Sequence, residues 1–207
     1  MIMRFIAGKL RNPTGFFGRL VGSMMVKGNM AEQGWTISLL NIQPDDHILE
    51  IGFGPGVAIQ TSAQKAVKGH VSGIDYSNTM LQVARKRNAA AIRSGLVDLR
   101  QGEVLSLPYA DASFDKAFTI HCIYFWEKPV EVLQEVRRVL KAGGLLAVTI
   151  KPKENWPKER LPPPDLFMLY SGVEVAQLLS NTGFGDVLVE THPQPDKFPG
   201  ECVLGIK

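Results

Sequence analysis

Residues 47–58, HILEIGFGPGVA, narrow the fold more than any other stretch. Ile48, Leu49 and Ile51 form a short apolar run broken only by Glu50, and Gly52, Gly54 and Gly56 follow before a segment able to form a helix. A buried strand that passes through a glycine turn into a helix is how an open α/β sheet builds a ligand site. Glycine suits such a turn because it accepts positive φ, and because a missing Cβ lets a ligand lie against the backbone. The spacing departs from the dinucleotide pattern, whose third glycine comes one residue later. Glu50 adds a carboxylate near the strand's carboxyl end, where it would repel a pyrophosphate and attract an ammonium group. A tight turn with no ligand is the plain alternative.

Strand and helix patterns alternate beyond this point. Helical periodicity covers Val57 to Val67, Asn78 to Ser94, Val130 to Leu140 and Val173 to Thr182; strand patterns cover His70 to Tyr76, Val97 to Val104, Phe114 to Cys122, Leu145 to Ile150, Gly185 to His192 and Glu201 to Ile206. Such alternation predicts a doubly wound, mostly parallel sheet with right-handed crossovers. The last two strands lack a helix between them and should pair antiparallel at the sheet edge. A chain of 207 residues is most simply one domain. Within it, residues 1–42 read as an N-terminal helical cap, with Trp35, Leu39 and Leu40 spaced for a helix that ends near Pro44. Residues 152–170, with five prolines, read as a lid loop.

Charge separates the arm from the body. Residues 1–31 hold Arg4, Lys9, Arg11, Arg19 and Lys27 and no acid, so all 20 acids fall in the remainder, which is slightly acidic. The body is therefore not a basic nucleic-acid binder. The arm interleaves those bases with Phe5, Leu10, Phe16, Phe17 and Met24. A flap over the site is the preferred reading, and peripheral membrane contact is the other. Two cysteines and four scattered histidines give no disulfide framework and no metal-ligand spacing. With no long apolar run, a cytoplasmic setting is expected.

Three carboxylates fall at successive strand ends: Glu50, Asp75 and Glu103. Asp75 lies 19 residues beyond Gly56, where an acid can accept both hydroxyls of a ribose. Glu103 could accept from an adenine amino group. Singly, each would read as a solvated loop charge; together, beside a glycine turn, they point to a nucleoside.

LEIGFGPG, GIDYSNTML, QGEVLSLPYADASFDKAF and EVRRVLKAGGLLAV, taken in order, resemble class I S-adenosylmethionine-dependent methyltransferases. The resemblance spans residues 43–151 and is nearest to the small-molecule branch that includes ubiquinone and menaquinone biosynthesis methyltransferases. It implies a Rossmann-like sheet of seven strands, mostly parallel with an antiparallel last strand. It also implies S-adenosylmethionine as cofactor. Glu50 and the turn of Gly52, Phe53, Gly54 and Gly56 would hold its methionine part, and Asp75 its ribose. Tyr76 and Met80 would pack near the adenine, and Glu103 and Val104 would line its edge. The family usually has Asp where Glu103 stands, and Lys141-Ala142-Gly143-Gly144 replaces Lys-Pro-Gly-Gly.

In-line methyl transfer needs alignment and exclusion of water, and a base only when the acceptor must lose a proton. His121, at the end of the fourth strand, is the candidate base and a cofactor-pocket residue; the alternative is that it only lines the pocket or bonds to backbone. Tyr124, Phe125 and Trp126 could grip a flat or apolar acceptor, or could equally be core. A small-molecule methyl acceptor, with no metal, is expected. A nucleic-acid methyltransferase is disfavoured because HCIYFW stands where an amino-methylating enzyme carries a DPPY-like motif. A non-catalytic S-adenosylmethionine-binding protein is the third reading.

Overall fold

The computed structural model describes residues 31–156, 163, 167–193 and 199–207. The basic arm, residues 1–30, and the central part of the Pro-rich segment lie outside the described residues, and with them most of the cap and lid expectations.

Residues 31–39 are helical (α1). There follow β1 (His47–Ile51), α2 (Val57–Lys65), β2 (His70–Asp75), α3 (Asn78–Arg87), α4 (Ala89–Arg93), β3 (Val97–Gln101) and β4 (Phe114–Ile120), then α5 (Pro129–Val139), β5 (Leu140–Ile150), α6 (Gly172–Asn181), β6 (Gly185–Thr191) and β7 (Glu201–Ile206). The strands form one seven-stranded sheet in the order β3-β2-β1-β4-β5-β7-β6. β1 to β5 pair in parallel, and β7 runs antiparallel between β5 and β6. The final hairpin thus sits at the edge, with its last strand on the inner side. Strand order reverses between β1 and β4, and a crevice opens where chains leaving such neighbours diverge to opposite faces.

The sheet divides the core in two. Leu49 packs with α5 residues Leu133 and Val136 on one face; Ile48 packs with α2 and α3 residues Ile59 and Leu81 on the other. β5 repeats the alternation, sending Leu146, Val148 and Ile150 to the first layer and Ala147 to the second. This is the two-residue period of a strand buried on both faces.

Helix ends follow from single residues. The Ser77 hydroxyl accepts the Met80 N–H to open α3, Pro129 begins α5, and Ser171 with Glu174 forms a capping box on α6. One continuous helix was expected over 78–94, yet the chain breaks at Asn88. Its buried side-chain amide donates to Gly56 O and to Ala84 O, both at 3.0 Å. That amide ties the glycine turn to the helix beside it, and the break leaves room for the tie. β5 begins five residues earlier than the apolar pattern suggests and takes in the Lys141–Gly144 stretch, with Gly143 at φ 75°. α1 is fastened at its carboxyl end by Lys116, whose Nζ donates to the carbonyls of Leu40 (2.8 Å) and Asn41 (2.6 Å) and pairs with Asp46 at 2.9 Å. A cation there also suits the helix dipole.

Candidate active site

Gly52, Gly54 and Gly56 all take left-handed φ angles of 74°, 49° and 74°. A Cβ on Gly52 would collide with the Cys122 thiol, whereas one on Gly54 would meet nothing within 4 Å. The first glycine is therefore required by packing and the second leaves an open surface. The Gly54 N–H donates to Asp75 Oδ2 and the Ser77 N–H to Asp75 Oδ1, each at 2.8 Å. Asp75 thus holds the turn in shape, and an ionised carboxylate still has lone pairs for two more donors. Burial raises its pKa, opposed by those two N–H groups.

Glu50 lies beneath this turn, only 3% exposed, with Oε2 lacking any partner. Burial, and secondarily the Asp75 charge, push its carboxyl up to about 8 despite a hydrogen bond from the Ile59 N–H. A buried acceptor left open is costly, so this atom marks a place for a donor.

A cavity of about 340 Å³ joins the strand ends. Its wall contains Gly52, Gly54, Asp75, Tyr76, Met80, Glu103, Val104, His121 and Trp126 from the expected set. Tyr76 is 51% exposed, a ring at the rim, while Met80 is buried below it. Glu50, Phe53, Gly56 and Tyr124 are not on the wall. Phe53 is buried, its ring filling the place of a side chain at Gly73 in β2. Gly56 caps α2 and packs on Ala84 and Asn88. Both shape the turn from behind.

The same lining includes the apolar side chains of Leu105, Phe125, Trp126 and Val132, with Glu127 beside Trp126. Tyr124 turns away into the core, 2% exposed, and stacks on Phe167 at 4.6 Å between ring centroids. Its hydroxyl accepts the Lys151 N–H at 2.5 Å, its carbonyl accepts the Met168 N–H at 2.9 Å, and burial holds its pKa well above the usual tyrosine range. The flanks of the Pro-rich segment are thus anchored on Tyr124. Burial also pushes the Cys122 thiol up to about 12, which keeps it an unreactive wall atom.

His121 ends β4 in the left-handed region, φ 56°. Its Nε2 lies 2.5 Å from Glu32 Oε2, and its Nδ1 lies 3.3 Å from the Tyr124 hydroxyl. Sequence reasoning missed Glu32. No local motif marks it, and it meets His121 only because α1 folds back over 89 residues of chain. Leu105 was also missed, although it adjoins Val104, which was singled out, and Phe125, read with its aromatic neighbours, does lie on the wall. Among the described residues no group of three or more His, Cys, Asp or Glu could hold a metal ion, and no helix is long and apolar enough to cross a membrane.

Residues 49–148 match the methyltransferase domain family. Methyltransferase YdaC of Bacillus subtilis, itself uncharacterised, is 33% identical over 135 residues, 65% of this chain and 72% of that protein. A demethylmenaquinone methyltransferase of Symbiobacterium thermophilum is 35% identical over 109 residues, 52% of this chain but only 43% of that protein. In fold, the chain is similar to a solved SAM-dependent methyltransferase from Aquifex aeolicus, with a TM-score of 0.71 at 19% identity over 98% of this chain and 97% of that one. With the strand–glycine–helix turn, its acidic strand ends and this shared architecture, the chain belongs to the S-adenosylmethionine-dependent methyltransferases.

Proposed function

We propose that this enzyme methylates a small, apolar or aromatic acceptor by direct in-line transfer, the cofactor lying along the glycine turn and the acceptor against the aromatic wall. The observation that carries this reading is one cavity whose lining combines carboxylates and glycines, among them Asp75, Glu103, Gly52 and Gly54, with the apolar side chains of Leu105, Phe125, Trp126 and Val132. The residues present fit the cofactor. The open Oε2 of Glu50 suits an ammonium group, the bare face of Gly54 admits a ligand against the backbone, and the spare lone pairs of Asp75 suit ribose hydroxyls. Glu103 and Val104 would border the adenine, with Met80 and Tyr76 packed beside it.

The cofactor supplies a methyl group already activated by a positive sulfur, so the protein's part is alignment and exclusion of water. The apolar wall desolvates the acceptor and Trp126 offers a flat face for a ring. His121 stands at the cavity where an acceptor proton would leave, and we assign it the role of base.

Labelled methyl transfer from S-adenosylmethionine to a panel of hydroxylated aromatics, quinols and lipids tests the reading, with Gly54→Arg as the control that removes the cofactor. Turnover confined to flat or apolar acceptors is expected. With small charged amines and carboxylic acids added to the panel, turnover confined to those would overturn the acceptor assignment, and tight cofactor binding with no transfer to any member would favour a non-catalytic binding protein.

A further inference from the structure

Helix α1 reaches the active site through Glu32. Glu32 meets His121 Nε2, and the two side chains are only 20% and 17% exposed. The helix is held against that contact along its length: the Thr36 hydroxyl bonds the Thr149 hydroxyl at 2.7 Å in the buried interior, and Lys116 holds the carbonyls of Leu40 and Asn41. His121 is fixed from its own side too. Its backbone N–H donates to Thr149 O at 2.9 Å, and its left-handed φ is the kind of unfavourable conformation that concentrates at functional sites.

On the far side of the imidazole, the Tyr124 oxygen accepts the Lys151 N–H, which leaves its single O–H proton with two destinations. One is His121 Nδ1 and the other is the Lys151 carbonyl, both at 3.3 Å. With neutral imidazole a consistent chain of donors runs from Lys151 N–H to Tyr124 O, from Tyr124 O–H to Nδ1, and from Nε2–H to Glu32. When Nδ1 takes a proton, the tyrosine hydroxyl can turn to the Lys151 carbonyl, and no buried donor is stranded.

We propose that Glu32 is the positioning residue of His121. Its carboxylate accepts the Nε2–H hydrogen bond and so fixes the tautomer with Nδ1 unprotonated and holds the orientation of the imidazole at the cavity, with the Tyr124 hydroxyl as the rotor at Nδ1. This rests on the placement of the acceptor beside His121. It also makes the docking of α1, the helix that follows the basic arm, a condition for proton transfer.

Proton NMR of the full chain tests it without an acceptor. The wild type should show a far-downfield, slowly exchanging imidazole N–H that disappears in His121→Gln. That resonance should vanish in Glu32→Ala and move upfield in Glu32→Gln, which keeps an acceptor oxygen but loses the charge. Its persistence at an unchanged position in either Glu32 variant would overturn the proposal, and the milder Gln variant decides the matter should the Ala variant not fold. With an acceptor from the panel, Glu32→Ala should lower kcat about tenfold or more with the cofactor KM unchanged, and Glu32→Gln should recover most of the loss. A raised cofactor KM with intact kcat would overturn it as well. Unaltered kcat in His121→Gln would instead remove the acceptor placement, an outcome separate from the fate of the Glu32 resonance.

Discussion

The glycine turn and the surroundings of His121 are built on different principles. The turn comes from short contiguous segments, each a strand terminus followed by its own turn; Asp75 accepts from the Ser77 N–H and the Gly54 N–H, and Asn88 ties Gly56 to the helix beside it. The surroundings of His121 are assembled from residues far apart in the chain, Glu32 with His121, Tyr124 with Lys151 and with Phe167. The first rests mainly on the local geometry of a parallel sheet, and the second exists only once helices and loops have packed around it. Ligand chemistry at the first should therefore tolerate damage to the second.

The harshest way to break this contrast is within the turn itself. Gly54→Arg should abolish cofactor binding in calorimetry while costing only about 1 kcal/mol of stability for its positive φ. Gly52→Val should instead cost about 3 kcal/mol or more in denaturant unfolding, because its side chain must displace the Cys122 thiol. Equal stability losses in the two variants would mean that the turn is not divided into a packed and an open glycine. Asp75→Ala comes next. It removes the acceptor for Gly54 N–H and for the proposed ribose contact, so cofactor affinity should fall roughly a hundredfold. Unchanged affinity would break the ribose assignment.

Glu50 gives a smaller effect with a definite sign. Its folded pKa of about 8 exceeds the usual 4.5, so its contribution to stability is complete below pH 4.5 and is lost as pH rises through 8. The ligand-free protein should lose thermal stability across that window, and Glu50→Gln should flatten the curve and melt higher than wild type at pH 8. Parallel curves for the two proteins would show that Glu50 is not the group responsible. Cofactor binding near pH 7 should also release a proton, measurable by titration in buffers of different ionisation enthalpy. Smallest, and confined to the surroundings of His121, Tyr124→Phe removes the oxygen that accepts the Lys151 N–H and should cost about 1–2 kcal/mol. Cofactor affinity should remain as in wild type; a parallel loss of affinity would join the two regions that the structure separates.

The same division explains what could be read in the sequence. The alternation of strand and helix, the seven-stranded sheet and the antiparallel final strand followed from periodicity, because each strand is buried on the faces its residues dictate. Gly52, Gly54, Asp75 and Glu103 could be brought to one cavity on paper because parallel strands all finish at the same edge. Strand ends were harder to place. β2, β3 and β4 each stop one to three residues before the apolar pattern does, because the chain turns there toward the cavity: the Gly102 N–H bonds back to Asp75 O and His121 takes a positive φ. The pairing of Glu32 with His121 and the inward turn of Tyr124 left no periodic trace, since both depend on tertiary packing. Nor could the pattern announce that Phe53, in the middle of the glycine turn, would be buried off the cavity wall.

That last feature has a consequence for relatives of this chain. The Phe53 ring occupies the volume that a side chain at Gly73 would need, with Ile59 and Leu99 closing the remaining space. Positions 53 and 73 are therefore one steric compartment shared by the glycine turn and β2, and bulk gained at one must be surrendered at the other. In sequences that fold this way, a large residue at 53 should travel with glycine at 73, and alanine or serine at 73 with something smaller than phenylalanine at 53.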